Sequence, residues 1–403
     1  MSLQFTYIDG GVTAPRGFKA SGIKARIKYD KKDLGVLISD VPAAAAGVFT
    51  TNRVKAAPVV LSAHNLASGT AQAIVVNSGC ANACTGEQGM QMAREMAMVA
   101  AEKLGIDQGA VVVASTGVIG QNLPMDRIIP GIGKAIKALS DQGGSDLAEA
   151  IMTTDTVPKE IAVKFELSGK TVIIGGTAKG SGMIQPNMAT LLAFVTSDAS
   201  IDQGLLKKAL IYVTDRTFNM VTVDGDTSTN DTLIVLANGL ADNPKVDMED
   251  DNYLIFREAL MVVCATLAQK IARDGEGATK LVEVNVLNAP SFNEAKTVAK
   301  AIANSNLVKI AIFGEDANWG RIICAVGYSG VEVDPGKIDI YLGSEKVAEN
   351  GAGFNFSEEK AKQILREDTV AITVDLHLGE VAATAWTCDF SYDYVKINAD
   401  YRT

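Results

Sequence analysis

The order of its apolar segments restricts what this chain can fold into more than any other feature. Short runs rich in β-branched residues and longer amphipathic stretches follow one another without strict alternation. A doubly wound parallel sheet needs a crossover helix after nearly every strand, and this order does not supply one. The prediction is therefore a layered α/β or α+β fold with mixed sheets. Strands are expected at 34–39, 71–77, 110–115, 160–166, 171–176, 190–196, 232–237, 281–287, 309–313 and 337–341. Two more, 369–375 and 380–387, read as a hairpin joined by Leu376-His377-Leu378-Gly379. Helices are expected at 88–104, 145–152, 203–216, 252–273, 291–304 and 357–366. Asp251 or Asn252 would cap the longest of these, and Asp274-Gly275 would end it.

With 403 residues, 47% of them hydrophobic, the chain can bury a core for two domains or for one large intertwined unit. No Pro/Ser-rich linker and no internal repeat divides it. The formal charge is −10, and the longest basic runs are the pairs Lys31-Lys32 and Lys207-Lys208. A nucleic-acid partner would favour basic stripes, so none is expected. The longest apolar helical stretch, near residues 259–268, is about half of a bilayer span, so no membrane partner is expected either. Met1 to Gly11 has no basic start followed by an apolar run, so a soluble, cytoplasmic protein is expected, with five scattered cysteines kept as thiols.

Several motif readings fail on inspection. Residues 131–134 suggest a phosphate loop, but Ala135 stands where Ser or Thr should be. Residues 224–230 resemble a calcium loop, but Thr229 replaces the turn glycine and Val235 the bidentate glutamate. Cys80 and Cys84 have no histidine near them in sequence, so no metal site is expected. His64 and His377 are the only histidines; a Ser-His-Asp triad is possible in principle, but a lone histidine such as His377 is more often structural, so catalysis is expected to use another base.

The segment 179–190 is more informative. A lysine precedes Gly180-Ser181-Gly182, Pro186 marks a turn, and Ala189-Thr190 is a small-residue junction opening an apolar strand. One reading is a glycine-rich loop feeding a buried strand. The other is autoproteolysis, in which the Thr190 hydroxyl attacks the Ala189 carbonyl, the acyl group shifts from nitrogen to oxygen, and water hydrolyses the ester. The freed α-amine, with an unperturbed pKa of about 8, could then act as general base without any histidine.

The 179–190 segment resembles that of the ornithine acetyltransferases, the glutamate N-acetyltransferases of arginine biosynthesis. The resemblance runs on through 10–19, 47–55, 77–86, 115–120, 152–156, 222–231, 272–280, 318–321 and 398–403, essentially the whole chain. It implies a self-cleaving, N-terminal-nucleophile-type acetyltransferase related to the self-processing aminopeptidases. Cleavage after Ala189 would give an α chain, 1–189, and a β chain, 190–403, assembled as a heterotetramer of two of each.

Thr190 is then both the cleavage residue and the nucleophile, and Thr116 with Gly117 forms the oxyanion hole. A strand end with glycine can bring an N–H to a developing oxyanion, although a simple strand-ending turn would look the same. Substrate contacts would come from Thr153, Lys179, Thr190, Glu276, Asn398 and Thr403. Thr154 and Thr156 lie close enough to Thr153 to compete for its place. Glu276 suits the side-chain ammonium of ornithine, or is a solvated loop charge. Lys179 suits a substrate carboxylate, or tunes the nucleophile. The resemblance further implies ping-pong transfer from N-acetylornithine to glutamate, no metal or resident cofactor, and acetyl-CoA as a co-substrate in some members. The alternative enzyme is a self-processing aminopeptidase that passes its acyl group to water.

Overall fold

The computed structural model describes residues 5–185 and 191–400. Its larger sheet is built from β1 (Thr6–Ile8), β2 (Phe18–Ile23), β3 (Leu34–Phe49), β4 (Thr70–Cys80), β5 (Val111–Val118), β6 (Lys159–Leu167), β7 (Lys170–Lys179), β8 (Leu192–Ser197) and β9 (Thr232–Ala237). The spatial order is β1-β6-β7-β8-β9-β3-β4-β5, with β2 added on β3. The β4–β5 and β8–β9 pairs are parallel and the other pairs antiparallel, so the sheet is mixed as expected.

Period-two alternation divides the side chains of this sheet between its two faces. Leu37, Ile74, Val76, Phe194, Ile234 and Leu236 point to one face, packed with Leu147 and Ile151. On the other face, Val36, Val75, Val111 and Val113 meet Ala93, Met96, Ile128 and Ile132. These come from α2 (Gly86–Leu104) and α3 (Met125–Lys137), which follow α1 (Ala57–Asn65), while Leu147 and Ile151 lie on α4 (Gly144–Ile151). Further along that second face, Ala193, Val195, Leu233 and Val235 join the largest core, under α5 (Gln203–Arg216) and α6 (Asp251–Arg273).

Helix α6 buries Tyr253, Phe256, Leu260, Val263, Leu267 and Ile271, a stripe at three- and four-residue spacing. Each such side chain stabilises by about 1.5–3 kcal/mol. The cap is Asp250, whose carboxylate accepts the Tyr253 N–H at 3.1 Å, one residue before the expected position. Asp274 does end the helix.

The smaller sheet holds β10 (Leu281–Ala289), β11 (Asp339–Leu342), β12 (Glu345–Glu349), β13 (Ala352–Gly353), β14 (Thr369–Asp375) and β15 (Val381–Cys388), ordered β13-β12-β11-β14-β10-β15. Around it lie α7 (Phe292–Ala303), α8 (Asn306–Phe313), α9 (Trp319–Gly327), α10 (Glu358–Leu365) and α11 (Tyr392–Asp400).

Two expectations are corrected here. Residues 309–313 are helix, not strand. Ser305 caps α8 by accepting the Val308 N–H, and Val308, Ala311 and Ile312 face inward at helical spacing. Residues 369–375 and 380–387 do not form a hairpin either, because β10 lies between them, parallel to β14 and antiparallel to β15. The connecting turn passes over the end of β10, with Leu376 and Leu378 N–H groups donating to the Leu287 and Asn288 carbonyls.

Candidate functional site

A cavity of about 250 Å3 is walled by Thr116, Gly117, Thr153, Lys179, Glu276 and Asn398, residues scattered over most of the sequence. Leu191 and Leu192, just after the 189–190 junction, line it too. Of the expected site residues, Thr190 and Thr403 lie outside the described residues, as does Ala189. All the others converge.

Thr116 and Gly117 sit at the end of β5, where it runs parallel to β4. Gly117 has φ +128°, and a β-carbon there would stand 2.3 Å from the Gly79 carbonyl carbon, so only glycine fits. Asn230 holds this corner, donating from Nδ2 to the carbonyls of Ala81 at 2.6 Å and Ser115 at 2.8 Å.

Lys179 ends β7 and is buried. Burial lowers its pKa from the usual lysine value, against the pull of the Asp155 carboxylate. Its Nζ donates to the Thr153 hydroxyl at 3.0 Å. Thr154 also lines the cavity, but Thr156 turns away and gives both its N–H and its hydroxyl to Asp274. Glu276 is 7% exposed and therefore not a solvated loop charge. Asn398, on α11, donates to its Oε2 at 2.8 Å. Gly182 makes room, since a β-carbon there would be 2.4 Å from the Glu276 carboxylate.

A buried ion network behind the wall joins three of these segments. Lys159 Nζ bridges Asp155 at 2.7 Å and Asp274 at 2.6 Å, and Asp155 and Lys159 are shut off from solvent. Asp155 also accepts the N–H groups of Thr153 at 3.0 Å and Gly180 at 2.7 Å. The Ser181 hydroxyl donates to the Asp274 carbonyl, and the Glu276 N–H to the Ser181 carbonyl. Burial pushes the Asp155 carboxyl up, but the ammonium charges of Lys159 and Lys179 more than reverse this and hold it down at about 2.

Asp224 supports the glycine-rich loop, accepting N–H groups from Met183 at 2.6 Å and Ile184 at 2.9 Å. Sequence reasoning passed over Asp155, Lys159, Asp274 and Tyr394, the last on the cavity wall. The usable signal was the placement of Asp155 and Lys159 four apart, straddling the start of β6. No histidine is among the described residues lining the cavity. No described helix is long and apolar enough to cross a membrane.

Known proteins agree in sequence over nearly the whole length. The sequence model of the ArgJ family matches residues 19–403. The arginine biosynthesis bifunctional protein ArgJ of Symbiobacterium thermophilum is 58% identical over 98% of this chain and 100% of its own. Its namesake from Bacillus cereus is 52% identical over 98% and 97%. A crystal structure of the Bacillus halodurans arginine biosynthesis bifunctional protein ArgJ is 53% identical, with a TM-score of 0.51. It covers 52% of this chain and 98% of the solved one.

Proposed function

The chain belongs to the ArgJ family, and from that premise we propose that it is a glutamate N-acetyltransferase that cleaves itself before Thr190 and carries the acetyl group on that residue. The observation that carries this reading is the meeting of Thr116, Gly117, Thr153, Lys179, Glu276 and Asn398 in one small cavity with Leu191 on its wall. A cavity of about 250 Å3 has room for a small acylated amino acid.

Maturation begins when the Thr190 hydroxyl adds to the Ala189 carbonyl. The peptide C–N bond breaks as the ester forms, which frees the α-amine, and water then cleaves the ester to release the Ala189 carboxylate and restore the Thr190 hydroxyl. That amine takes the hydroxyl proton when Thr190 attacks the acetyl carbonyl of N-acetylornithine. Thr116 and Gly117 donate to the oxyanion, an interaction of the kind that contributes about 2.7–4 kcal/mol per donor. The ornithine amine leaves with the proton, and the glutamate amine takes the acetyl group from the ester. Glu276 receives the ornithine side-chain ammonium, and Lys179 the substrate carboxylate. Acetyl-CoA serves as a second acetyl donor.

A solved relative whose chain is half as long as this one supports a cut near the middle. The proposed cut falls between β7 and β8, which stay paired from Lys179 with Leu192 to Ile174 with Ser197. The two fragments would therefore remain together, two copies of each forming the assembly. Native purification should give one particle, and denaturing electrophoresis two bands, the second beginning at Thr190. Thr190→Ala should give one band and no N-acetylglutamate. A variant still split at that bond would assign the cut to an outside protease, and free acetate in place of N-acetylglutamate from the wild type would indicate hydrolysis.

A further inference from the structure

A second depression, about 1150 Å3 in volume, lies between the 24–30 turn and α3. It gathers Lys24, Arg26, Lys28, Arg127 and Lys134 beside Asp30 and Asp126, with Asp33 buried beneath the turn next to Lys28, in a chain whose formal charge is −10. Like charges so close repel and invite an anion. Asp30 meets Lys24 at 2.7 Å, and Asp126 stands 4.0 Å from Arg127. Among the described residues, Arg26 and Lys134 have no carboxylate partner, and both are exposed.

The turn is held in shape. The buried Asp33 carboxylate accepts the N–H groups of Ala25 at 2.6 Å, Ile27 at 2.6 Å and Lys28 at 2.8 Å, and Arg26 is kept at φ 70°. Tyr29, on the same wall, is 98% exposed. An aromatic ring left in solvent among cations is the arrangement that stacks a base and neutralises phosphates.

The groove reaches toward the cavity through Lys28. Lys28 Nζ donates to the Met152 carbonyl at 2.7 Å, one residue before Thr153. Its Cγ would stand 2.9 Å from a β-carbon on Gly79, the register partner of Gly117. A cavity of about 250 Å3 admits the acyl end of a donor and leaves any long handle outside.

We infer that this groove binds the phosphorylated nucleotide handle of a thioester acetyl donor, Tyr29 stacking on its base and Arg26 and Lys134 holding its phosphates, while the acetyl end enters past Lys28. The inference rests on the proposed acetyl transfer, but binding can be read without turnover. Calorimetry with adenosine 3′,5′-bisphosphate should show saturable binding to the wild type, weakened about tenfold in the Arg26→Ala/Lys134→Ala double variant. No binding to the wild type, or equal binding to both, overturns the groove whatever the transfer assays give.

In turnover, the double variant should raise the KM for acetyl-CoA by about tenfold. The KM for S-acetylpantetheine, which lacks the nucleotide, and that for N-acetylornithine should stay unchanged. Equal losses on all three donors overturn the assignment, because the pair would then act on the cavity itself. A wild type that uses N-acetylornithine but not acetyl-CoA also overturns it and leaves the proposed transfer standing.

Discussion

The carboxylate of Glu276 shows how narrowly a single side chain is accommodated. It is buried against a glycine that leaves no room for a methyl group, and one oxygen is already held by the Asn398 amide. If it receives the ornithine ammonium, Glu276→Gln leaves that cation facing an uncharged partner in a desolvated site. Such a loss costs about 3–5 kcal/mol when buried, against under about 1 kcal/mol when exposed. The KM for N-acetylornithine should rise by about tenfold or more. Self-cleavage should be intact, and an uncharged acetyl donor such as an aryl ester should be affected much less. Equal damage to both donors would make Glu276 a support of the nucleophile instead. The residue was singled out by the resemblance to the ornithine acetyltransferases, with a carboxylate in a glycine-rich turn fitting that role, but its burial was not legible in the sequence. Nothing in 272–280 announces that Gly182, far away in the chain, gives it space. Thr153 and Thr156 were indistinguishable for the same reason: only the fold places Asp274 beside one and Lys179 beside the other.

Between elements, the Asp155–Lys159–Asp274 network ties the 153–156 loop, the end of β7 and the turn after α6. Asp155 has a folded pKa near 2, below the unfolded aspartate value of about 3.9. Between those values the unfolded state binds more protons, so stability rises with pH. The contribution is complete above about pH 4 and is lost as pH falls toward the folded value. Asp155→Asn, compared in the unprocessed Thr190→Ala background, should lower stability at neutral pH by about 3–5 kcal/mol. It should also flatten the acid slope of denaturant midpoints. An unchanged slope would mean that the carboxylate is not the group titrating there.

Local sequence carries only the Asp155–Lys159 spacing of such a network, since Asp274 lies more than a hundred residues from both. Where the signal was local, the reading held: 203–216 and 232–237 agree with α5 and β9 residue for residue. Where an apolar run fitted both periods, as in α8, the helix won through its Ser305 cap and its docking, with buried Lys309 donating to Thr387 and the Cys388 carbonyl. The supposed hairpin failed because tertiary pairing inserted β10 between strands that adjoin in sequence.

At the scale of the molecule, the proposed cut would divide the chain but not the site. Thr116, Gly117, Thr153 and Lys179 precede residue 190, while Glu276 and Asn398 follow it, and the strands flanking the cut remain paired. A protein built this way gains its nucleophile's free amine without losing a wall of the cavity. The most direct test is the intact mass of the purified protein after brief exposure to N-acetylornithine without glutamate. The account predicts a second fragment beginning at Thr190 and carrying one added acetyl group, which disappears when glutamate is supplied and N-acetylglutamate forms. An acetyl group found on the first fragment, or none on either while transfer proceeds, would contradict it.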